Sequence, residues 1–475
     1  MPDLTYPLVI TALIVYTLVL LLLNRANILS KFNIEVVWGF ILMWRTGRGR
    51  KFINWLARPK AFWTFWGNLA IVTVVIFSVA TFVLLLWEAV IVVRIPVELA
   101  PGPEMLIGIP GLNPLIPVGY GIVSLAIAIL IHEFSHGILT RVANVRIRSL
   151  GILAILIPIG AFVEPDEQQL TKIAGRKRAR VYAVGPMANI TCAFLCALIF
   201  SLGFMGSVAP VHDGMVVTGV TVDYPAHQVG LRPGMLITAV STENFTETHI
   251  VSDQDFANVM AMTSPGDVIK ITYYHKGETH TVQAKLADKY AYYKNIYPDP
   301  KYEKDLAKFK GVGFLGINTE SLREDVIEAQ AHPFRNSNSL IEIFGNGLLY
   351  VSLPILKLSP MPDDTASLIV VNGPLGALPS SVFWTLTNLF YWLFWLNFMV
   401  GATNALPARP LDGGHILKDG LVRFLSKSRP GLPKKRNEKT ADWITWSMAL
   451  LILFLIIWLV AGPYVAAGVR GLVGG

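Results

Sequence analysis

The stretch that decides the fold is Ile122 to Leu139, which reads Ile-Val-Ser-Leu-Ala-Ile-Ala-Ile-Leu-Ile-His-Glu-Phe-Ser-His-Gly-Ile-Leu. Its length approaches the roughly 20 apolar residues that a helix needs to cross a bilayer. Three ionisable residues, His132, Glu133 and His136, interrupt it. Because a charge at the centre of a bilayer costs about 2.5–3.5 kcal/mol on insertion scales, these residues indicate a functional site inside a membrane-spanning helix.

The spacing of the two histidines predicts a metal site. His132 and His136 are four residues apart, so both imidazoles lie on one helix face and can reach one metal, with Glu133 beside it as general base. Zinc suits neutral imidazoles and lowers the pKa of bound water from 15.7 to about 7. The pattern therefore predicts one zinc ion per chain, with Glu133 activating a zinc-bound water. The alternative is a set of polar residues hydrogen-bonded inside a helix bundle.

A catalytic zinc site needs a third protein ligand. The segment Asn404 to Gly414 reads Asn-Ala-Leu-Pro-Ala-Arg-Pro-Leu-Asp-Gly-Gly, and its two prolines prevent a continuous helix. Gly413 and Gly414 permit a tight turn just after Asp412. Irregular backbone that carries an acid at the end of an apolar stretch favours Asp412 as the third ligand, with His415 as the alternative.

The composition is that of a membrane protein. Of 475 residues, 53% are hydrophobic and 15% are charged, whereas a soluble domain carries about 25% charged residues. The two cysteines, Cys192 and Cys196, are too few for a disulfide framework. Six apolar stretches are predicted to span the membrane: Leu8 to Leu23, Phe65 to Trp87, Ile122 to Leu139, Val181 to Leu202, Val382 to Val400 and Trp443 to Val460.

The charge distribution predicts an orientation. Residues 25–60, 141–180 and 418–439 each hold eight Lys/Arg, against one, three and two acids, respectively. Residues 206–380 hold nineteen acids against thirteen basic residues. Because Lys/Arg-rich loops stay on the cytoplasmic side, the zinc motif is predicted near that side and the acidic segment outside the cytoplasm. Each basic block adjoins a span and has no module of its own, which argues against nucleic-acid binding.

Together these residues resemble the site-2 protease family of intramembrane zinc metalloproteases. His132 to His136 matches the zinc and base motif of the family, and Asn404 to Gly414 resembles its second motif. Gly185-Pro-Met-Ala-Asn189 resembles the element between them, and Gly151 to Glu167 resembles the membrane-re-entrant β segment of the family.

The resemblance implies roles for individual residues. The two histidines and Asp412 would bind zinc, and Glu133 would activate the water. Asn189 and Asn404 match family asparagines near the active site and are candidate catalytic residues, because an amide can donate to an oxyanion or pair with the substrate backbone. The alternative for both is a structural hydrogen bond between helices.

Residues 208–287 predict a separate α/β module. Four strand-like runs and a short helix at Asp253 to Met262 surround the phrase Pro-Ala-x-x-x-Gly-Leu-x-x-Gly, which begins at Pro225. This arrangement resembles the PDZ domain inserted in many site-2 proteases. PDZ domains bind extended chain ends by adding a strand. The alternative is a steric plug that binds no peptide.

The predicted fold is a polytopic α-helical membrane protein with about six transmembrane helices, a re-entrant β segment and an inserted α/β PDZ-like domain. Its predicted segments are an N-terminal two-span extension with a basic cytoplasmic loop (1–118), the first half of the catalytic membrane core (119–206), an extracytoplasmic PDZ-like domain and tail (207–318), a linker with a membrane-surface segment (319–379) and the second half of the core (380–475).

The resemblance implies an intramembrane zinc metalloendopeptidase. Its partners would be the lipid bilayer and transmembrane protein substrates, pre-trimmed by another protease and cut in or near their membrane segments; no nucleic acid is expected. One rival function is a divalent-cation transporter with intramembrane His and Asp along its pathway. That rival leaves Glu133 unexplained. A second rival, an inactive membrane scaffold, conflicts with the intact set of ligands and base.

Overall fold

The computed structural model describes residues 5–473 except 98–99, 107, 155–157, 243–244, 300–301, 336, 357–365, 430 and 432. The chain divides into two compact units. The first comprises Met1–Cys196 with Trp392–Gly475, and the second comprises Ala197–Tyr391.

The described residues form helices of very different length. They are α1 (Thr5–Arg25), α2 (Arg50–Leu56), α3 (Lys60–Ile91), α4 (Val118–Val142), α5 (Glu167–Lys172), α6 (Gly175–Leu198), α7 (Pro225–Gln228), α8 (Asp253–Ala261), α9 (Lys289–Ile296), α10 (Glu303–Leu306), α11 (Ala329–Ala331), α12 (Leu340–Ser352), α13 (Ser380–Ala405), α14 (Asp412–Ser428) and α15 (Lys434–Val473).

The strands fall into two groups, one in each unit. Those of the first unit are β1 (Ile34–Val37), β2 (Ile41–Thr46), β3 (Ile147–Ala154) and β4 (Pro158–Pro165). Those of the second are β5 (Val208–Pro210), β6 (Met215–Val220), β7 (Leu236–Thr242), β8 (Phe245–His249), β9 (Val268–His275), β10 (Glu278–Lys285), β11 (Ala287–Asp288), β12 (Gly313–Phe314), β13 (Ile317–Ser321) and β14 (Ile369–Val371).

Long apolar helices identify a membrane protein. Within the described residues, four are long and apolar enough to cross a bilayer: Lys60–Arg94, Val118–Val142, Gly175–Ser207 and Lys434–Arg470. The structure thus supports fewer spans than the six predicted. The first predicted span, Leu8 to Leu23, lies within the 21-residue helix α1, in which Ile14–Arg25 is described as an apolar helix. The fifth lies in α13, where polar residues such as Asn388 and Asn397 lower the hydropathy.

The first unit contains an antiparallel sheet with the strand order β1-β2-β3-β4. Strands β3 and β4 overlap the segment Gly151 to Glu167, whose predicted re-entry into the membrane stays a prediction. Strands β1 and β2 lie in residues 25–60, which the sequence indicated only as a basic loop. Trp44 of β2 pairs with Ile152 of β3. A side chain at the neighbouring Gly151 would collide with the carbonyl oxygen of Trp44, so a glycine is needed there.

One apolar core joins this sheet to the helices around it. Ile53 of α2, Leu139 of α4, Leu150 of β3, Val163 of β4 and Val184 of α6 are all buried in it. Full burial of an aliphatic side chain of this size contributes about 1.5–3 kcal/mol. The core therefore fixes β4, at one edge of the sheet, against the helix that carries the two histidines.

The second unit is built on an antiparallel sheet with the order β10-β9-β7-β6-β13, to which β8 adds beside β7. Buried residues of its core include Met215, Ile237 and Ile271. Helix α8 begins with a capping box, in which Ser252 and Asp255 bond each other's backbone N–H. This is the small sheet with short helices that the predicted α/β module requires, although its last strand ends at Ser321, beyond the predicted boundary at residue 318.

Candidate active site

His132 and His136 lie one turn apart on the same face of α4. Their Nε2 atoms are 3.1 Å apart, and the rings are nearly perpendicular, at 75°. His132 is buried and His136 is partly buried. Because residues four apart are neighbours on a helix surface, the local sequence alone produces this pairing.

Asp412 completes the group from a distant part of the chain. Its Oδ2 atom lies 3.2 Å from the Nε2 of each histidine. The carboxylate and both imidazoles are within reach of one ion, since the three ligand atoms all lie within 4.8 Å of one another. The structure therefore brings together the three residues predicted to bind zinc.

The backbone that delivers Asp412 differs from the expected tight turn. Helix α14 starts at Asp412, and the two glycines that follow it belong to the first helical turn. A Cβ on Gly413 would lie 2.5 Å from the Leu406 carbonyl oxygen, and one on Gly414 would lie 2.5 Å from the Ala408 carbonyl carbon. The glycines allow the helix to pack against the loop that follows α13, and no turn forms there.

The donor set fits zinc. Zinc is usually four-coordinate and tetrahedral, with bonds of about 2.0–2.2 Å to His nitrogen and carboxylate oxygen, so its ligand atoms lie about 3.3 Å apart. The observed separations of 3.1–3.2 Å between the two Nε2 atoms and Oδ2 of Asp412 match this spacing. Three protein ligands leave a fourth position open, as in catalytic zinc sites.

The hydrogen bonds of the histidines leave the correct nitrogens for a metal. Nδ1 of His136 donates to the carbonyl oxygen of Val181 at 2.6 Å, since that oxygen can only accept. Nδ1 of His132 lies 2.7 Å from Oδ1 of Asn189. Both rings thus carry their proton on Nδ1 and turn the Nε2 lone pair toward the other ligands, the arrangement that outer hydrogen bonds impose on metal-binding histidines.

Asn189 is itself held by a chain of buried amides. Its Nδ2 donates to the carbonyl oxygen of Ala128 at 2.9 Å and to Oδ1 of Asn397 at 3.0 Å. Asn397 in turn donates its Nδ2 to the carbonyl oxygen of Leu393 at 2.8 Å. Because Ala128 and Leu393 offer acceptors only, both amide groups have a single possible orientation. Asn189 and Asn397 have no exposed surface.

Glu133, the residue after His132, bonds to the sheet. Its Oε2 accepts a hydrogen bond of 3.0 Å from the backbone N–H of Val163 in β4. This N–H belongs to the side of β4 that does not pair with β3, so the free edge of the sheet runs past Glu133. The bond positions the carboxylate against β4, and Glu133 is not part of the group formed by His132, His136 and Asp412.

Gly185 provides the space that the metal site occupies. A Cβ at this position of α6 would lie 2.7 Å from Nε2 of His132 and closer still to Nε2 of His136. A neighbouring glycine, Gly401 of α13, similarly has its Cβ position only 3.2 Å from the Cβ of Asn189. Close approach of α6 to α4 and of α13 to α6 therefore depends on these two glycines.

Two further candidates from the sequence lie apart from the ligand group. Asn404 donates its Nδ2 to the carbonyl oxygen of Val400, one turn earlier in α13, at 3.0 Å. His415, the alternative third ligand, stacks on the ring of Tyr182 with centroids 4.6 Å apart. Burial lowers the pKa of His415, and the nearby positive charge of Arg409 lowers it further.

The sequence did not identify Asn397 or the part played by Gly185. Asn397 stands in an otherwise apolar helical stretch, seven residues before Asn404, and that isolated polar residue was the available signal. Gly185 belongs to a recognised motif, but its proximity to the histidines appears only when α6 is packed against α4.

Membrane-crossing helices, with an H-E-x-x-H helix completed by an aspartate from a distant segment, are the features of a membrane-embedded metalloprotease. The chain belongs to Peptidase family M50, whose family model matches residues 120–454. The resemblance to site-2 proteases seen in the sequence is thereby confirmed.

The chain is similar to two other proteins over most of its length and to one solved domain over a smaller part. An uncharacterized protein of Methanocaldococcus jannaschii is 25% identical over 91% of this chain and 93% of its own length. The zinc metalloprotease RasP of Oceanobacillus iheyensis is 22% identical over 62% of each chain. The PDZ domain of an SdrC-like protein from Listeria monocytogenes is 26% identical and covers 23% of this chain and 92% of its own, with a TM-score of 0.17.

Proposed function

We propose that this protein is an intramembrane zinc metalloendopeptidase that hydrolyses peptide bonds in or near the transmembrane segments of other membrane proteins. The observation that carries the proposal is the convergence of Nε2 of His132, Nε2 of His136 and Oδ2 of Asp412 on one point, with separations of 3.1–3.2 Å. A glutamate lies beside this point in the sequence position of a general base.

The two histidines and Asp412 would hold one zinc ion. When bound, zinc lowers the pKa of a coordinated water and polarises a carbonyl. Asn189 and Val181 would keep the imidazoles in the tautomer that binds metal, and Gly185 would keep the space between them clear.

Glu133 would manage the protons of the reaction. As a carboxylate it accepts a proton from the attacking water, and as an acid it returns that proton to the leaving amine. Its hydrogen bond to the N–H of Val163 holds Oε2, which leaves Oε1 to exchange protons. The same bond links the base to the edge strand β4.

The two asparagines would have different roles. Both amide protons of Asn189 are used by Ala128 and Asn397, which supports a positioning role toward His132 over donation to substrate. An amide nitrogen carries two protons, and Asn404 uses one of them in its bond to Val400. Asn404 therefore remains our candidate for donation to an oxyanion or to the substrate backbone.

The substrate would bind as an extended segment beside β4. A helical segment hides its carbonyls in hydrogen bonds, so the bond to be cut must first be unwound. β4 is an edge strand of its sheet, and an edge strand can accept an added strand. The N–H of Val163 on this edge already bonds Glu133, so a strand added here would run directly past the general base.

The topology supports a cytoplasmic position for the active site. The basic block 141–180 includes the end of α4 at Val142 and the start of α6, and the block 418–439 includes the start of α15. On the positive-inside rule these ends face the cytoplasm, and the PDZ-like module lies outside it. Substrates would then arrive after another protease has trimmed their outer domains.

The decisive experiment compares hydrolysis and transport in one preparation. The purified protein is incubated in liposomes with a single-span substrate, with and without a zinc chelator, while flux of zinc across the same membrane is recorded. We expect cleavage that the chelator abolishes and that Glu133→Gln lacks. Zinc flux without cleavage would establish the transporter, and neither activity would establish the scaffold.

A further inference from the structure

A cavity of about 1430 Å³ lies in the first unit, apart from the three metal ligands. Its walls come from α3, from residues 171–179 at the end of α5 and the start of α6, from α14 and from α15. Along α3 the lining extends from Asn68 to Phe82 and consists mostly of valine and isoleucine. The fourteen helical steps from Asn68 to Phe82 correspond to about 21 Å, which exceeds the roughly 15 Å depth of one leaflet of a bilayer.

Basic side chains form another part of the lining, here called the basic mouth: Lys172, Arg176, Arg423 and Lys434. Arg176 and Lys434 stand in the first turns of α6 and α15, which are candidate membrane spans, so these two side chains lie where spans leave the bilayer. Lys172, Arg176 and Arg423 are exposed, and the described residues include no acid within salt-bridge distance of them.

The acidic residue that lines the cavity does not offset this charge. Asp419 accepts a hydrogen bond from Nε of Arg178 at 2.8 Å, and this ion pair joins α14 to α6 in the cavity wall. Phe424, next to Arg423, exposes 66% of its surface, as aromatic side chains at the membrane interface commonly do. A cationic, aromatic-flanked mouth thus opens onto an apolar groove.

We propose that this cavity binds an anionic phospholipid. The phosphodiester of the headgroup would contact Lys172, Arg176 and Arg423, and one acyl chain would lie along the apolar face of α3. Basic pockets between membrane helices bind anionic headgroups in this way. Because its wall includes Gly413, the bound lipid would touch the helix that carries the third metal ligand. An apolar substrate segment would use the groove but gain nothing from the basic mouth.

The test compares lipid selectivity in three forms of the full chain. Each is reconstituted in nanodiscs, and the immobilised fraction of spin-labelled phosphatidylglycerol is measured against that of spin-labelled phosphatidylcholine. Wild type should prefer phosphatidylglycerol. Neutralising the mouth with Lys172→Gln, Arg176→Gln and Arg423→Gln should reduce this preference at least about tenfold. The matched control, Arg48→Gln, Lys51→Gln and Arg58→Gln, removes three exposed basic residues that do not line the cavity and should retain it.

A second variant tests the groove without changing charge. Val75→Trp would fill the apolar part beside α3 and should abolish the preference while the basic mouth stays intact. Unchanged zinc content would show that each variant is folded. The proposal would be overturned if the mouth variant and its matched control lost the preference for phosphatidylglycerol equally. It would also be overturned if neither the mouth variant nor Val75→Trp changed that preference. A photocrosslinker at position 75 that captures substrate polypeptide in place of phospholipid would overturn it as well.

Discussion

His132 donates its Nδ1 proton to Oδ1 of Asn189 across 2.7 Å, and the two residues are 57 positions apart on different helices. This bond ties the orientation of a proposed metal ligand to a residue outside the group of His132, His136 and Asp412. Asn189 is oriented in turn by Asn397, which lies a further 208 positions along the chain. The metal site therefore depends on how α4, α6 and α13 pack together.

Removing the far end of this amide chain should weaken zinc binding. In Asn397→Ala the Nδ2 of Asn189 loses an acceptor in a fully buried place, which costs about 1–3 kcal/mol. The amide can then turn away from His132. Loss of such an outer partner typically lowers metal affinity by about 10–100-fold. Competition with a chromogenic chelator measures this affinity without recourse to activity.

A matched control exists on the same helix. Asn388 also donates its Nδ2 to the carbonyl oxygen four residues earlier, that of Trp384, at 2.8 Å. The structure gives it no bond to Asn189, so Asn388→Ala should leave zinc affinity unchanged. If both alanine variants weaken zinc equally, a general loosening of α13 explains the result, and the amide chain has no special part.

Gly185→Ala should exclude the metal. The added methyl group would lie 2.7 Å from Nε2 of His132 and closer to Nε2 of His136, where the ion must sit. We expect zinc content to fall from about one per chain to near zero. Gly203→Ala is the control, because a Cβ there meets no atom within 4 Å. Full zinc content in Gly185→Ala, measured by atomic absorption, would show that α6 shifts freely and that our account of the close packing is wrong.

The zinc content of single variants should distinguish the three proposed ligands from the proposed base, Glu133. His132→Ala, His136→Ala and Asp412→Ala should each lose zinc, because three protein ligands hold it. Glu133→Gln should keep zinc and lose hydrolysis. His415→Ala is the internal control, since its ring stacks on Tyr182 and should leave zinc in place. Zinc retained in Asp412→Ala but lost in His415→Ala would show that His415, and not Asp412, is the third ligand.

The parts of the site that the sequence predicted are those set by local geometry. The spacing of His132 and His136 places them on one helix face in any packing, and the irregular segment before Asp412 singled out the acid. Asn397 could not be found in this way, because its partner is 208 residues distant and only tertiary packing joins them. The two glycines after Asp412 are compatible with a turn and with close backbone approach alike, so the sequence does not distinguish the two.

The fold was predicted where periodicity was strong. The span at Ile122 to Leu139 lies inside α4. The hairpin of β1 and β2 was not predicted, because residues 25–60 show many basic side chains and little alternation of apolar and polar residues. Its strands are only four and six residues long, too short for alternation to stand out against that background. The helix α13 forms as expected, but its asparagines reduce the hydropathy that would mark it as a span.

Cysteine labelling should reveal the orientation. In a background without Cys192 and Cys196, we introduce Arg429→Cys beyond α14 or Lys276→Cys in the turn between β9 and β10; both positions are exposed. An impermeant thiol reagent added outside intact cells should label position 276 and spare position 429, because Lys/Arg-rich segments stay inside. Labelling of position 429 from outside would reverse the proposed topology and move the metal site to the outer side.

The last prediction concerns the PDZ-like module, which is inserted between α6 and α13. These helices carry Asn189 and Asn397, so the chain must leave and rejoin the catalytic core around the module. The pairing of β5 with β14, from Val208–Val371 to Pro210–Ile369, lies outside the module and can be retained. Replacing residues 213–321 with a flexible linker removes its sheet while preserving that pair, and zinc content should stay at about one per chain.

The rate of cleavage then distinguishes two roles for the module. If it restricts access, the full-length protein cuts a substrate only after its outer domain has been trimmed, and the shortened protein cuts trimmed and untrimmed forms alike. If it binds substrate by strand addition, the deletion slows cleavage of both forms. One substrate, prepared with and without its outer domain, supplies the measurement. Equal cleavage of the two forms by the full-length protein would rule out restriction by the module, because a barrier must act on the bulkier substrate.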